Sequence, residues 1–177
     1  LFMDLEPYFG VFGDVSGHGL LAGLIMMMAE VVFNAYMQDE NLRHGSLSSL
    51  YQKINLTLYK NIHERLHKKS KIGFQYSSIY MTFSLFRFDR QGNFELFGSD
   101  PARPFICRAE DGSIESIPSS GFLLGITPDA SGDETPYRFS LREDDLLIFY
   151  SDGITESKSQ PRKIRRERQS KQELFMY

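Results

Sequence analysis

Apolar residues switch between helical and strand-like spacing along this chain, and that switch restricts it to a fold in which helices are layered on antiparallel sheet. Between Leu20 and Met37, residues Leu24, Met28, Val31, Val32 and Ala35 recur at helical spacing in a run rich in Ala and Met, which predicts a long, mostly buried helix. A polar break from Gln38 to Gly45 precedes Ser46, placed to cap a second helix that carries Leu50, Ile54, Leu58, Ile62 and Leu66. The pattern then shortens. Ser77 to Asp89 is aromatic and β-branched, and Arg90-Gln91-Gly92-Asn93 turns it back into Phe94-Glu95-Leu96-Phe97, a hairpin. Pro104 to Arg108 and Ser113 to Ile117, joined across Asp111-Gly112, read as a second hairpin. Tyr137 to Leu141 and Leu146 to Tyr150 add two strands, the latter a continuous apolar run expected to be buried on both faces. Ahead of the helices, Leu5 to Gly13 reads as a buried strand ending in a glycine-rich turn. Strand, two helices, then a meander of strands is the order of an α+β domain.

The 177 residues allow one domain of ordinary size, and 41% hydrophobic content with 15 Phe and 9 Tyr excludes disorder and collagen-like structure. No apolar run approaches the roughly 20 residues of a membrane-spanning helix, since Leu20 to Ala29 contains Gly23 and is followed by Glu30. Cys107 is the only cysteine, so neither an internal disulfide nor a cysteine metal cage is available, which fits a reducing, cytoplasmic setting. The first residue is Leu and no signal peptide precedes the domain, so the chain reads as a piece of a longer protein with segments expected at both ends. The formal net charge of −3 divides unevenly: seven Lys or Arg against Glu167 and Glu173 give residues 158–177 a charge of +5, which leaves −8 on residues 1–157. An acidic body argues against general nucleic-acid binding, and the basic tail is set apart as a separate segment.

Two segments stand out because each sets an Asp at the end of an apolar strand, followed by glycines that let a ligand approach the backbone. They are Gly13-Asp14-Val15-Ser16-Gly17-His18-Gly19 and Tyr150-Ser151-Asp152-Gly153-Ile154-Thr155-Glu156, and their aspartates lie 138 residues apart. Each alone reads equally as a turn or a helix cap. Paired, two carboxylates and nearby carbonyls are hard oxygen ligands suited to Mg²⁺ or Mn²⁺.

The string FGDVSGHGLLAGLIMM, followed by LREDDLLIFYSDGITES, resembles the SpoIIE-like branch of the metal-dependent (PPM-type) serine/threonine protein phosphatases, regulators of bacterial sigma factors and sporulation. The two intervening hairpins and the Gly-Leu-Gly-like turn GFLLGI extend the resemblance over Tyr8 to Ser157. It implies an αββα sandwich of two antiparallel sheets flanked by helices, with residues 1–157 the phosphatase domain and residues 158–177 the basic segment. It also implies two Mn²⁺ or Mg²⁺ ions bridged by Asp14, held by the Val15 carbonyl and by Asp152, and sharing a water that attacks phosphorus. The implied substrate is a phosphorylated regulatory protein of the anti-sigma-factor antagonist type, and relatives point to a homodimer formed through the helices. Family members carry a Gly-Gly-Asp segment before the Asp14 strand and a further metal-binding Asp beyond the position of Asp152, and neither is matched here. A catalytically degenerate phosphatase-like module that binds a partner is therefore the alternative.

Other residues carry two readings each. His18 and Gly153 are candidate contacts to phosphate or to the site; for His18 a locally packed helix start is the other reading. Asp100, where relatives carry a histidine, is either a carboxylate near the site or part of a surface turn before Pro101. Glu156 orients a metal-bound water or is a surface charge. Met26, Met27 and Met28 read as core packing ahead of a partner surface, and His63 with His67 as a solvated face.

Overall fold

The structure, a computed structural model, describes residues 6–66, 79–99, 103–118, 121–130 and 135–155. Strand β1 (Tyr8–Val15) leads into helix α1 (Leu20–Tyr36), a short helix α2 (Glu40–His44) and helix α3 (Leu47–Lys60), which continues as a π-helical turn, Asn61–Leu66. Strands β2 (Met81–Phe88), β3 (Asn93–Ser99), β4 (Phe105–Cys107), β5 (Ile114–Ser116), β6 (Tyr137–Ser140) and β7 (Leu146–Ile148) follow, and then one turn of helix, α4 (Asp152–Thr155). Among the described residues all pairings are antiparallel, in a four-stranded sheet ordered β1-β2-β3-β6 and a three-stranded sheet ordered β5-β4-β7.

Alternation along the strands sorts the side chains between two cores. From β2, Met81, Phe83 and Leu85 join Val15 and Phe97 beneath Ile25 and Ala29 of α1 and Leu47, Leu50, Tyr51, Ile54 and Leu58 of α3. The opposite face of the same sheet supplies Phe86, Leu96 and Phe139, which meet Ile106, Leu147 and Phe149 of the other sheet, with Ile117. The described layers are therefore helices, sheet, sheet. This is the α+β arrangement of two packed antiparallel sheets expected from the sequence.

Ion pairs lock the sheet margins. Arg108 donates to Glu115, to Asp145 and to the Ser140 carbonyl, and so ties the second sheet to the end of β6 in the first. The backbone N–H groups of Arg142 and Ala109, then Arg108, hold Asp145 at a pKa of about 2. Burial pushes Glu95 up, but hydrogen bonds from Arg138 and Arg87 overcome it and leave the carboxyl below its ordinary value.

Several expectations are corrected. The first strand ends at Val15 rather than Gly13, because the Thr82 side chain prolongs the pairing past the glycine. The polar break holds α2, which Asp39 caps by accepting from the Asn41 and Leu42 N–H groups. Helix α1 is not mostly buried: only Ile25 and Ala29 are, while Leu24 and Val31 are 45% and 66% exposed. Met26 and Met27 are also exposed and Met28 alone of the three packs inward, because a helix apolar almost all round offers several stripes and the sheet covers one. Leu146 is exposed, so the expected burial on both faces fails at the start of β7. His63 does not lie on a solvated face; its Nε2 is 3.0 Å from the Gly125 carbonyl oxygen and its ring rests on Tyr59. Among the described residues no helix is long and apolar enough to cross a membrane.

Candidate metal centre

The end of β1 is built to hold one backbone geometry. Asp14 N–H donates to Thr82 Oγ1 at 3.0 Å, and the same hydroxyl lies 3.3 Å from the Asp14 carbonyl oxygen. One side chain thus clamps both polar groups of that residue. The strand then leaves through Gly17 and Gly19, whose φ values of 90° and 84° lie in the left-handed region that side-chain-bearing residues rarely adopt. Ser16 anchors the exit by exchanging hydrogen bonds with the backbone of Tyr80. Helix α1 begins at once, and Gly19 at its N-cap offers no side-chain acceptor, so its first-turn N–H groups face no protein cap.

The Asp14 side chain shares a strand face with Tyr8, Gly10 and Phe12. That face meets the second sheet: the Phe12 ring centroid is 5.3 Å from that of Phe149. Phe12 precedes Asp14 by two residues and Phe149 precedes Asp152 by three, so the strand that carries one aspartate packs on the segment that delivers the other. Asp152 and Gly153 are exposed and open α4. The Asp14 carboxylate is exposed and has no hydrogen-bond or ion-pair partner among the described residues, and the same holds for His18. Val15 behaves differently. Its side chain is buried in the helix-side core, so only its backbone is available to a ligand. Asp100, Glu156, His67, residues 158–177 and the domain boundary after Ser157 lie outside the described residues.

Among the described residues no three His, Cys, Asp or Glu side chains gather closely enough to hold an ion by themselves. The groups the sequence singles out, the Asp14 and Asp152 carboxylates and the Val15 carbonyl, are all hard oxygens. Such a set suits Mg²⁺ or Mn²⁺, which keep several water ligands, and does not suit zinc, which favours nitrogen and sulfur.

One structural feature beside this site escaped the sequence reading. Four side chains of α3 and its π-helical extension, Tyr51, Gln52, Asn55 and His63, hydrogen-bond to the backbone between Phe122 and Ala130. The sequence held one signal of it, Asn55, a polar residue directly beside Ile54 on the apolar face of the helix.

The described fold, antiparallel sheets packed face to face with helices over one of them, is shared with a solved serine/threonine phosphatase. The chain belongs to the SpoIIE family: the family model described as Stage II sporulation protein E (SpoIIE) matches residues 6–175. Among solved structures, the serine/threonine phosphatase PstP/Ppp of Mycobacterium tuberculosis aligns with a TM-score of 0.50 at 14% identity, over 79% of this chain and 68% of that one. The PP2C phosphatase domain of SpoIIE from Bacillus subtilis, solved with a fragment of its regulatory domain, aligns with a TM-score of 0.49 at 17% identity, over 85% of this chain and 38% of that one. Comparison with curated protein sequences returns no match.

Proposed function

We propose that this serine/threonine phosphatase removes phosphate from a serine or threonine of a bacterial regulatory protein of the anti-sigma-factor antagonist type, in the cytoplasm, with two Mn²⁺ or Mg²⁺ ions. The single observation that supports this most is the Asp14 carboxylate: exposed, without a protein partner among the described residues, and carried on a backbone that Thr82 clamps. Asp14, the Val15 carbonyl and Asp152 are the groups that would hold the ions. When bound, divalent cations supply Lewis-acid activation of water and neutralise the phosphoryl oxygens. The chain's own part is positional. Thr82 fixes the Asp14 backbone before any ligand arrives, so little reorganisation is needed on binding. His18, exposed at the α1 entrance, and Gly153, exposed in α4, are the groups that would contact the phosphate, His18 as a hydrogen-bond donor.

The test is Mn²⁺-dependent release of phosphate from a phosphoserine protein by wild type and by Asp14→Asn. Loss in the variant supports the assignment; no release by wild type at saturating Mn²⁺ favours the degenerate, partner-binding module.

The outward face of α1 supports a homodimer through the helices. Leu20, Leu24, Met27 and Val31 recur at spacings of four, three and four residues, are 45% to 83% exposed, and have Glu30 as their one charged neighbour on the helix. A stripe of that spacing is complementary to a second copy of itself. Sedimentation of wild type and Met27→Glu reads it directly, with a monomeric wild type as the result against it.

A further inference from the structure

The residues on either side of Val15 are each held by a side-chain hydroxyl. On one side Thr82 Oγ1 accepts the Asp14 N–H at 3.0 Å and donates to the Asp14 carbonyl oxygen at 3.3 Å. On the other, Ser16 Oγ accepts the Tyr80 N–H at 3.0 Å, while the Ser16 N–H donates to the Tyr80 carbonyl at 2.8 Å. Gly13 gives the first contact its room: a Cβ there would lie 2.3 Å from the Thr82 carbonyl oxygen, so any side chain would push β1 off β2 where the hydroxyl reaches across.

Met81 stands between Tyr80 and Thr82 and opposite Val15, yet its backbone turns the other way. Its N–H donates to the Leu124 carbonyl at 3.0 Å, and its carbonyl accepts the Leu124 N–H at 2.9 Å. In an antiparallel pair, opposed residues alternate between bonding each other and facing away. The Val15 carbonyl therefore points out from the sheet, of which β1 is the outermost strand among the described residues. Burial of the Val15 side chain in the helix-side core fixes the residue from a third direction. Backbone groups suffice to pair a strand end. Here two hydroxyls are added, one at each residue flanking a single outward carbonyl, and one of those residues carries the exposed Asp14 carboxylate.

We propose, resting on the phosphatase reading above, that Thr82 and Ser16 are positioning residues that hold the Asp14 carboxylate and the Val15 carbonyl at a fixed mutual spacing for a divalent cation. Neither hydroxyl is a ligand. Each acts through the backbone it bonds, so the two oxygens are ordered when the chain folds and not at the expense of binding.

Titration calorimetry with Mn²⁺ reads this without turnover. Thr82→Val, which keeps the β-branched shape, and Ser16→Ala are each expected to bind Mn²⁺ about tenfold more weakly than wild type, whereas Thr82→Ser and Ser16→Thr, which keep the hydroxyls, stay within about twofold. Thr57→Val is the structural comparison. It removes a hydroxyl 2.7 Å from that of Tyr36 in the helix layer, and is expected to lower the urea midpoint with Mn²⁺ affinity unchanged. Wild-type affinity in either folded hydroxyl-free variant, Thr82→Val or Ser16→Ala, overturns the proposal, as does an equal loss of affinity in Thr57→Val. Should Thr82→Val fail to fold, Ser16→Ala decides. Hydrolysis of p-nitrophenyl phosphate by wild type tests the phosphatase reading separately: a wild type that binds Mn²⁺ but hydrolyses nothing ends that reading and leaves the affinities to judge the two hydroxyls, while a wild type that binds no Mn²⁺ overturns both.

Discussion

The rings of Phe12 and Phe149 lie 5.3 Å apart at a 34° interplanar angle, and this contact joins the two halves of the candidate site. Phe149 also stacks on Phe86 at 5.1 Å, so it is wedged between the two sheets, over β1 and β2. Phe149→Ala removes a half-buried ring from that wedge and is expected to lower the unfolding free energy by about 2–3 kcal/mol. It should also weaken Mn²⁺ binding, because Asp152 follows three residues later on the loosened segment. Urea unfolding and titration calorimetry measure the two effects, and an unchanged metal affinity in the folded variant would separate the ring contact from the site.

Asp14→Asn should part stability from function. The carboxylate makes no described contact, so the urea midpoint is expected to stay within about 0.5 kcal/mol of wild type. Phosphatase activity is expected to fall by roughly a hundredfold or more, since a ligand to the activating ions is lost. Calorimetry with Mn²⁺ provides a readout that does not depend on turnover.

Asn55→Ala strips the buried Gly125 N–H and the part-buried Thr127 carbonyl of their partner, which is expected to cost about 2–4 kcal/mol. Hydrogen exchange at the Gly125 amide should accelerate more than exchange in β2, which would mark the damage as local to the loop.

Asp145 sets an acid limit on stability. Its folded pKa of about 2 lies below the ordinary 3.8, so its contribution is fully present above pH 4 and is lost as pH falls through 2. Urea midpoints of wild type should therefore drop between pH 4 and pH 2. Asp145→Asn should start from a lower midpoint and show a shallower fall over that interval.

Much of this architecture was legible in local chemistry. Ser46 accepts from the Ser49 N–H and starts α3 where its side chain predicted, and the Arg90–Gly92 turn returns β2 into β3 as its residues require. Asp14 and Asp152 could be singled out because an Asp followed by glycine at the end of an apolar strand is a local pattern. The burial of α1 could not be read in the same way. Its residues are apolar on nearly every side, and periodicity alone does not say which stripe the sheet covers. His63 looked solvated among charged neighbours because its partner, the Gly125 carbonyl, is 62 residues away.

The two long helices and the order of the strands were thus legible in the sequence alone, since propensity, capping and alternation act over a few neighbouring residues. Tertiary structure alone decided the Phe12 to Phe149 contact, the Thr82 clamp on Asp14 and the grip of α3 on residues 122–130. Each of these joins positions more than sixty residues apart, and such distances are fixed only when two sheets and a helix layer close over shared cores.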